Sequence, residues 1–322
     1  MNQHLKIESI QQKALLYLLH FLKDKKYAFT VITPLSHQRI SLRKKSRSSE
    51  QRSLKDIFGW NLPFIPNDLD YQLFMTLKSA EIIRNEKDQW LSNVRVASLE
   101  NGLFIHSSFP TVEKDTVFFG PDTYRFYYHL KQYLLNYPPQ IHRSLELCCG
   151  TSAVAITLAQ SFPNITEIYT ADINPKALFY SQINKIFNDT NHVFPNYSDL
   201  FSELDGKFDL IFANPPYLID SHERQYRHGG SQLDGMDLAF KILKEGIKRL
   251  SPQGTLFLYT GVAIGQNGNN FLKTVQDWIL DYPSFKYSYE EIDPDVFGEE
   301  LDQIAYQHIE RIAVALIKIS TV

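Results

Sequence analysis

Residues 208–217 read Phe-Asp-Leu-Ile-Phe-Ala-Asn-Pro-Pro-Tyr, an apolar run that stops at two consecutive prolines. The run before Asn214 is rich in β-forming residues, which predicts a short buried strand. Each proline fixes φ at about −65° and has no N–H group to donate to a sheet, so the strand must end there. The residue before a proline is kept out of the α region, and Asn214 is therefore held in a stiff, extended turn.

The end of this strand is where we expect the chemistry of the protein. Open α/β sheets bind their ligands at the carboxyl ends of their strands. There, the side-chain oxygen of Asn214 and the neighbouring backbone carbonyls suit the two N–H groups of a planar amino or amide group, and the ring of Tyr217 suits its flat face. Pro215 and Pro216 alone would be equally typical of a plain loop. Asparagine before them and tyrosine after them favour the functional interpretation.

The chain has 322 residues, more than one ordinary core accommodates, and we expect two domains. Its hydrophobic content of 43% is sufficient for folded cores, and its net charge of −3 excludes a polybasic coat protein for nucleic acids. Its only cysteines, Cys148 and Cys149, fit neither a disulfide framework nor a zinc site, so we expect no metal. Because it has no long apolar segment, the sequence predicts a cytoplasmic protein that does not contact a membrane.

Residues 1–116 carry the pattern of a small α+β domain. Apolar spacing predicts helices over residues 10–22 and 68–84, and Ser53 is expected to cap a short helix before a core-forming aromatic cluster at residues 58–64. Alternating residues around Asn101-Gly102 predict a hairpin with a type I′ turn over residues 93–106. Helices followed by a hairpin indicate a winged-helix-like module that docks the substrate.

The stretch 39–52 is strongly basic, with a single acidic residue, Glu50, and several serines. Charge runs of this kind are usually solvated loops, and we expect a loop here. The alternative is a surface that contacts RNA or an acidic partner through Arg39, Arg43, Lys44, Lys45, Arg47 and Arg52.

The second domain is expected to span residues 117–322. Gly120-Pro121 stops a strand, and a helix starts near Thr123, so the boundary should lie just before this junction. Asp122 and Arg125 are either a helix cap with its salt bridge or part of an active-site wall.

From residue 143 onwards, strands and helices alternate. Strands are predicted at 144–147, 167–171, 192–194, 208–213 and 254–259, with helices at 153–162, after Asn174-Pro175, at 234–250 and at 271–280. Residues 287–292 and 309–319 are expected to pair as closing strands, with the acidic segment 289–301 as a linking loop or a lid. This alternation predicts an α/β protein with a mostly parallel, doubly wound sheet.

Three acidic residues fall at the ends of successive predicted strands. Glu146 lies in the first strand, Asp172 ends the second and Asp199 follows the third. Asp172 suits the two hydroxyls of a ribose, Asp199 or the backbone beside it suits an adenine edge, and Glu146 suits an ammonium group. An adenine, a ribose and a cationic amino acid without phosphate together describe S-adenosylmethionine, and the sequence accordingly lacks a P-loop lysine.

These segments resemble class I methyltransferases of the HemK-like group, which methylate side-chain amide nitrogen in proteins. The resemblance rests on residues 145–153, 170–178, 198–201, 208–217 and 228–238, and enzymes that methylate amino groups of adenine or cytosine share its Asn-Pro-Pro-Tyr element. It implies a Rossmann-like class I methyltransferase domain with a mostly parallel seven-stranded sheet and S-adenosyl-L-methionine as cofactor. The implied catalytic residues are Asn214, Pro215, Pro216 and Tyr217. The implied cofactor-binding residues are Glu146, Cys148, Gly150, Thr151, Asp172, Ile173, Asp199, Leu200 and Asn214.

The sequence departs from this family in two places. Cys148 and Ser152 stand where glycine is usual, which adds side-chain atoms where the backbone passes close to the cofactor. Residues 1–116 do not match the helical substrate domain of the glutamine methyltransferases. The resemblance implies N-methylation of a protein glutamine, with methylation of a nucleic-acid base (N6-adenine, N2-guanine or N4-cytosine) as the alternative. A non-catalytic binding protein on a methyltransferase fold is the third hypothesis.

Overall fold

The computed structural model describes residues 2–45, 51–136 and 140–321. Within those residues, the N-terminal part forms helices and two hairpins, of which the sequence predicts only the second. The helices are α1 (Asn2–Asp24), α2 (Pro34–Lys45), α3 (Leu54–Phe58) and α4 (Tyr71–Ser79). The hairpins pair β1 (Ile83–Glu86) with β2 (Gln89–Ser92), and β3 (Val94–Leu99) with β4 (Gly102–Ser107).

The predicted core of the N-terminal part is confirmed. Leu18 and Leu22 of α1 are fully buried, and so are Phe58 and Phe64 of the aromatic cluster. Ser53 caps α3: its hydroxyl accepts from the backbone N–H of Asp56 at 3.2 Å, and the Asp56 carboxylate accepts from the backbone N–H of Ser53 at 3.1 Å. These reciprocal bonds satisfy backbone donors that the first turn of a helix leaves unpaired.

Two N-terminal predictions are wrong in part. A loop is expected at residues 39–52, but the chain is helical as far as Lys45. The sequence does not reveal this helix, because its inner face is polar and shows no apolar periodicity. Its inward-facing His37 is buried and bonds the carbonyl of Trp60 at 3.0 Å. The helix expected over residues 68–84 ends at Ser79, where Glu81 adopts a left-handed φ of 57° and the chain continues into β1.

The hairpin of β3 and β4 is confirmed, but its predicted turn is wrong by one residue. Leu99 pairs with Gly102, so Glu100 and Asn101 form the two-residue turn. Glu100 takes the left-handed conformation there, with φ of 49°, and Gly102 already belongs to the ladder. The packing of the apolar side chains in β3 and β4 fixes this register, which turn preference alone does not reveal.

The C-terminal part alternates helices and strands, as predicted. It comprises α5 (Pro121–Asn136), β5 (Arg143–Leu147), α6 (Ala153–Ser161), β6 (Glu167–Asp172), α7 (Pro175–Phe187), β7 (Val193–Tyr197), β8 (Phe208–Ala213), α8 (Asp237–Gly246), β9 (Leu250–Gly265), α9 (Asn270–Ile279), β10 (Phe285–Asp293) and β11 (Ile309–Thr321). The fifth strand is longer than the predicted 254–259, and the helix expected over 234–250 is shorter.

The sheet of the C-terminal part has seven strands in the order β10-β11-β9-β8-β5-β6-β7. Strands β5 to β9 run parallel, and β11 lies antiparallel between β9 and β10. This confirms the predicted mostly parallel, seven-stranded sheet and the pairing of the two closing strands. From β5 the chain winds outward through β6 and β7, then returns to β8 on the other side, so the ligand crevice is expected at the carboxyl ends of β5 and β8.

The N-terminal part packs directly on the C-terminal part. The Asn184 side chain on α7 accepts from the N–H of Ile105 at 2.8 Å and donates to its carbonyl at 3.2 Å. One buried apolar cluster extends from Leu18 on α1 to Phe212 on β8. The proposed boundary between residues 116 and 117 stays a prediction. None of the described helices has the length and apolar character needed to cross a membrane.

Candidate active site

A cleft of about 200 Å³ lies at the carboxyl ends of β5, β6 and β8. The structure brings all the predicted site residues together along its walls. From the cofactor set these are Glu146, Cys148, Gly150, Thr151, Asp172, Ile173, Asp199, Leu200 and Asn214, and from the catalytic set they are Asn214, Pro215, Pro216 and Tyr217. Their individual roles stay predictions.

The loop between β5 and α6 has left-handed backbone at three alternate residues. The φ angles are 52° at Cys148, 51° at Gly150 and 53° at Ser152. Cysteine and serine tolerate this region at a cost of about 1–2 kcal/mol each. The loop therefore follows a path that suits glycine at all three positions, although only one of them is glycine.

The two departures from glycine in this loop differ in where their side chains lie. Ser152 is fully buried behind the loop, and its hydroxyl is hydrogen-bonded to Thr170 at 3.0 Å and Ser181 at 2.9 Å. The Ser181 hydroxyl in turn donates to the carbonyl of Gly150 at 2.9 Å. Ser152 thus supports the loop without entering the cleft, whereas Cys148 lines the cleft.

Asp172 ends β6 with both carboxylate oxygens held by backbone N–H groups. Gly150 donates to Oδ2 at 2.8 Å, and Asn174 donates to Oδ1 at 2.9 Å. Burial raises the pKa of Asp172, and these two backbone bonds act in the opposite direction. The carboxylate is fixed in place at the cleft wall, which suits the predicted contact with ribose hydroxyls.

Glu146 lies deeper, on β5, and is almost completely buried. Its Oε2 atom accepts from the N–H of Ala155 at 3.2 Å, near the start of α6. Burial raises the pKa of Glu146 to about 8, with a smaller contribution from the charge of Asp172 and an opposing one from the Ala155 N–H bond. A cationic group bound beside it would favour the ionised carboxylate.

The far end of the cleft combines exposed and buried residues. Asp199 is exposed at the rim, and Lys241 lies 3.8 Å from its carboxylate. Leu200 is buried and adopts a left-handed φ of 52°, with its carbonyl accepting from the Ser198 hydroxyl at 2.8 Å. Ile173 exposes 44% of its surface beside them. An apolar wall next to a polar rim suits a planar base.

Asn214 lies half-buried at the end of β8, as predicted. Among the residues that the structure describes, none forms a hydrogen bond with its side-chain amide. Both polar atoms of this amide are therefore available to a ligand in the cleft.

Tyr217 is buried, and its hydroxyl donates to Asp122 Oδ2 at 2.7 Å. The Tyr259 hydroxyl donates to Oδ1 of the same carboxylate at 2.7 Å, and Arg125 contacts Oδ1 at 3.2 Å. The Tyr217 ring packs on the backbone of Gly261, where a Cβ atom would lie 2.4 Å from it. The polar end of Tyr217 is thus engaged, and only its ring is presented to the cleft.

Asp122 lines the cleft, and the sequence alone does not identify it as a site residue. The sequence allows either a helix cap or part of an active-site wall, and the contacts of Asp122 with two tyrosines favour the wall. The signal was its position in Gly120-Pro121-Asp122, immediately before the α/β unit. The two tyrosines are distant in sequence, so spacing alone does not reveal the contact.

Two lining residues, Gln225 and Tyr226, are joined to residues 111–118 and form a roof over part of the cleft. The Tyr226 hydroxyl donates to the carbonyl of Thr111 at 2.9 Å, and the Gln225 N–H donates to the carbonyl of Lys114 at 3.2 Å. The rings of Phe118 and Tyr226 stack with centroids 5.5 Å apart. Sequence reasoning missed Gln225 and Tyr226 as lining residues, because the loop after Asn-Pro-Pro-Tyr carries no distinctive spacing here.

The acidic segment 289–301, for which the sequence allows a linking loop or a lid, contributes one wall residue. Phe297 lines the cleft, and its ring meets the Tyr217 ring edge-on at 5.9 Å. This contact favours the lid interpretation for its part of the segment 289–301.

The charges around the cleft are predominantly negative. Its only basic lining residue among those described is Arg227, which is paired with the buried carboxylates of Asp220 and Glu300. The acidic lining residues are Asp122, Glu146, Asp172 and Asp199. The cleft thus favours a cationic ligand and offers no unpaired cation for a phosphate.

The described first part of the basic stretch belongs to α2. Helix α2 begins at Pro34, which lines the cleft, and its outer surface exposes Arg39, Arg43 and Lys45. Lys44 forms an ion pair with Asp56 at 2.8 Å. Arg52 is half-buried and donates to the carbonyl of Lys44 at 3.2 Å, while Arg47 lies outside the described residues.

Residues 131–273 match the family model of the methyltransferase small domain, a range that contains every predicted site residue. Ribosomal protein uL3 glutamine methyltransferase of Neisseria gonorrhoeae is 31% identical over 137 residues, which cover 39% of this chain and 46% of that protein. Proteins of the same name are 29% identical over 159 residues in Xanthomonas campestris and 32% identical over 141 residues in Bradyrhizobium diazoefficiens. These two matches cover 46% and 40% of this chain, and 49% and 43% of those proteins.

The chain thus spans less than half the length of these relatives. Among solved structures, Trm5b from Pyrococcus abyssi aligns with a TM-score of 0.49 and 16% identity, over 74% of this chain and 62% of that one.

Proposed function

We propose that the chain, whose residues 131–273 match the methyltransferase small domain, is an S-adenosyl-L-methionine-dependent N-methyltransferase that acts on a protein glutamine. The observation that carries this proposal is the Asn214 side chain. It stands at the end of β8, in an acidic cleft, with no hydrogen bond to any described residue. The relatives named above are glutamine methyltransferases, which supports an amide nitrogen as the acceptor.

The residues around the cleft fit the cofactor. The Asp172 carboxylate, held by two backbone donors, would accept hydrogen bonds from both ribose hydroxyls of the cofactor. Buried Glu146 would face the cationic amino-acid end of the cofactor. At Gly150, a Cβ atom would meet only the carbonyl of Phe118 at 3.8 Å, so the loop approaches the cleft with bare backbone. When bound, the cofactor supplies a methyl group activated by its sulfonium.

The Asn214 turn would activate the acceptor nitrogen. An amide nitrogen is a weak nucleophile because its lone pair is delocalised into the carbonyl. The side-chain oxygen of Asn214 and the backbone carbonyl of Pro215 would accept its two N–H bonds, which lets the nitrogen pyramidalise. The same two bonds stabilise the positive charge that develops on it, a form of electrostatic preorganisation. No strong base is required before transfer, since the nitrogen becomes acidic once alkylated.

The charge of the cleft favours a protein acceptor over a nucleic acid. Three aspartates, Asp122, Asp172 and Asp199, line the cleft, and the charge of Arg227 is balanced by Asp220 and Glu300. A phosphodiester backbone would be repelled at this surface. A neutral glutamine side chain has no such penalty, and the aromatic walls from Phe118 and Phe297 suit its short apolar stem.

We also propose that α2 contacts RNA that accompanies the protein substrate. The relatives named above act on a ribosomal protein, and α2, whose first residue Pro34 lines the cleft, exposes Arg39, Arg43 and Lys45. Such contacts would make substrate binding sensitive to salt. The slope of the log binding constant against log salt concentration should become shallower when these residues are replaced by alanine. A ribosomal substrate would also place the protein in the cytoplasm.

The test is methyl transfer with labelled cofactor to ribosomal protein uL3 and to ribosomal RNA of the same organism, assayed in parallel. We expect label in the protein, recovered as N-methylglutamine after digestion, and none in the RNA. Label in the RNA bases instead would contradict the glutamine assignment and favour base methylation. If the protein failed to bind the cofactor at all, the non-catalytic hypothesis would replace both.

A further inference from the structure

We propose that Asp122 is a positioning residue that holds the turn of residues 214–217 through the hydroxyl of Tyr217 and thereby sets the rate of methyl transfer. This inference rests on the proposed function. Asp122 is 8% exposed and lies in the first turn of α5, far in sequence from the turn that it contacts.

The turn has few means of holding itself in place. Pro215 and Pro216 have no N–H groups, and the Asn214 side chain bonds none of the described residues. Tyr217 is therefore the residue of this turn whose side chain is hydrogen-bonded to the rest of the protein, and its partner is Asp122 at 2.7 Å. The spacing between the Asn214 oxygen and the Pro215 carbonyl depends on where Tyr217 is held.

The carboxylate of Asp122 is itself fixed on several sides. Tyr259 of β9 donates to Oδ1 at 2.7 Å, and Arg125 reaches the same oxygen at 3.2 Å. Arg125 is also paired with Asp293 at the end of β10, at 3.2 Å. Hydrogen bonds to an ionised acceptor are stronger than those between neutral groups. Asp122 thus links three separate elements, α5, β9 and β10, to the Asn214 turn.

Tyr259 provides a matched control within the same cluster. It donates to the same carboxylate as Tyr217 through a phenol at the same distance, but it lies in the sheet interior and does not line the cleft. Tyr259→Phe therefore removes one bond to Asp122 and leaves the bond to the turn. If Asp122 served stability alone, Tyr217→Phe and Tyr259→Phe would have similar consequences.

The experiment compares Asp122→Asn, Tyr217→Phe, the double variant and Tyr259→Phe. For each, kcat and acceptor KM are measured in the transfer assay, cofactor Kd by calorimetry, and amide hydrogen exchange across residues 213–222 by mass spectrometry. We expect kcat to fall about tenfold in Asp122→Asn and in Tyr217→Phe, the scale of one lost charge-assisted hydrogen bond. The double variant should be no slower than either single variant, because both act through one bond.

The controls separate this role from folding and from cofactor binding. Exchange across residues 213–222 should rise in Asp122→Asn and Tyr217→Phe and rise less in Tyr259→Phe, whose kcat should fall by a smaller factor, because the Tyr217 bond to Asp122 and the Arg125 contact remain. Multiplying effects in the double variant, or a cofactor Kd that rises in parallel with the loss of kcat, would overturn the proposal. Unchanged exchange in Tyr217→Phe would overturn it even if the protein proved not to be a methyltransferase.

Discussion

Binding of the cofactor should release a proton from Glu146. The carboxyl is buried, and its pKa is raised to about 8. At pH 7 roughly nine in ten of these carboxyls are therefore protonated, and at pH 9 roughly one in ten. A bound ammonium or sulfonium cation favours the ionised form. Binding at pH 7 should thus release about 0.9 proton from this site, and the apparent affinity should rise about tenfold between pH 7 and pH 9.

The assay is calorimetric titration with S-adenosyl-L-methionine at pH 7, in buffers of different ionisation enthalpy, so that the heat reports the number of protons released. The amino group of the ligand also titrates and can release protons on binding. Glu146→Gln is the control, because it retains the protons released by the ligand and removes those released by the carboxyl. We expect wild type to release about 0.9 proton more than the variant, and the pH dependence of the affinity to flatten in the variant. Equal proton release by the two proteins would refute the reasoning.

Three further outcomes follow from the cofactor loop and its neighbours. Asp172→Ala should weaken cofactor binding by on the order of 100-fold, as measured by calorimetry, since both ribose bonds are lost; an unchanged Kd would remove its ribose role. Cys148→Gly should stabilise the protein by about 1 kcal/mol in thermal unfolding, because it relieves a left-handed cysteine. Ser152→Gly should not stabilise it, because two buried hydroxyl bonds worth about 1 kcal/mol each are lost. A rise in Tm for both glycine variants would show that the Ser152 bonds contribute little.

The sheet and the cofactor crevice follow from the sequence because their signals are local. The prolines after Asn214 mark the end of β8, and Asp172 and Asn174 mark the end of β6 and the cap of α7. The strand ends converge because the strands are parallel, so residues that end separate strands meet in one cleft. That convergence brought every predicted site residue to the cleft without any long-range information.

The features that sequence reasoning missed depend on contacts between distant residues. Asp122 meets Tyr217 and Tyr259 across 95 and 137 residues, and no spacing rule links them. Tyr226 closes the roof through Thr111, 115 residues away. The sequence does not reveal helix α2 because its buried face is polar, with His37 inward in place of the apolar stripe that usually indicates a helix.

The Asn214 turn is the feature on which the proposed chemistry depends, and one variant tests it most directly. In Asn214→Ala, kcat for transfer to the protein acceptor should fall by roughly 100-fold or more, the scale of losing one preorganised group that stabilises developing charge. Cofactor Kd, measured by calorimetry on the same preparation, should change far less than kcat. Turnover close to that of wild type, with the cofactor still bound, would contradict the assignment of Asn214 as the group that activates the acceptor nitrogen.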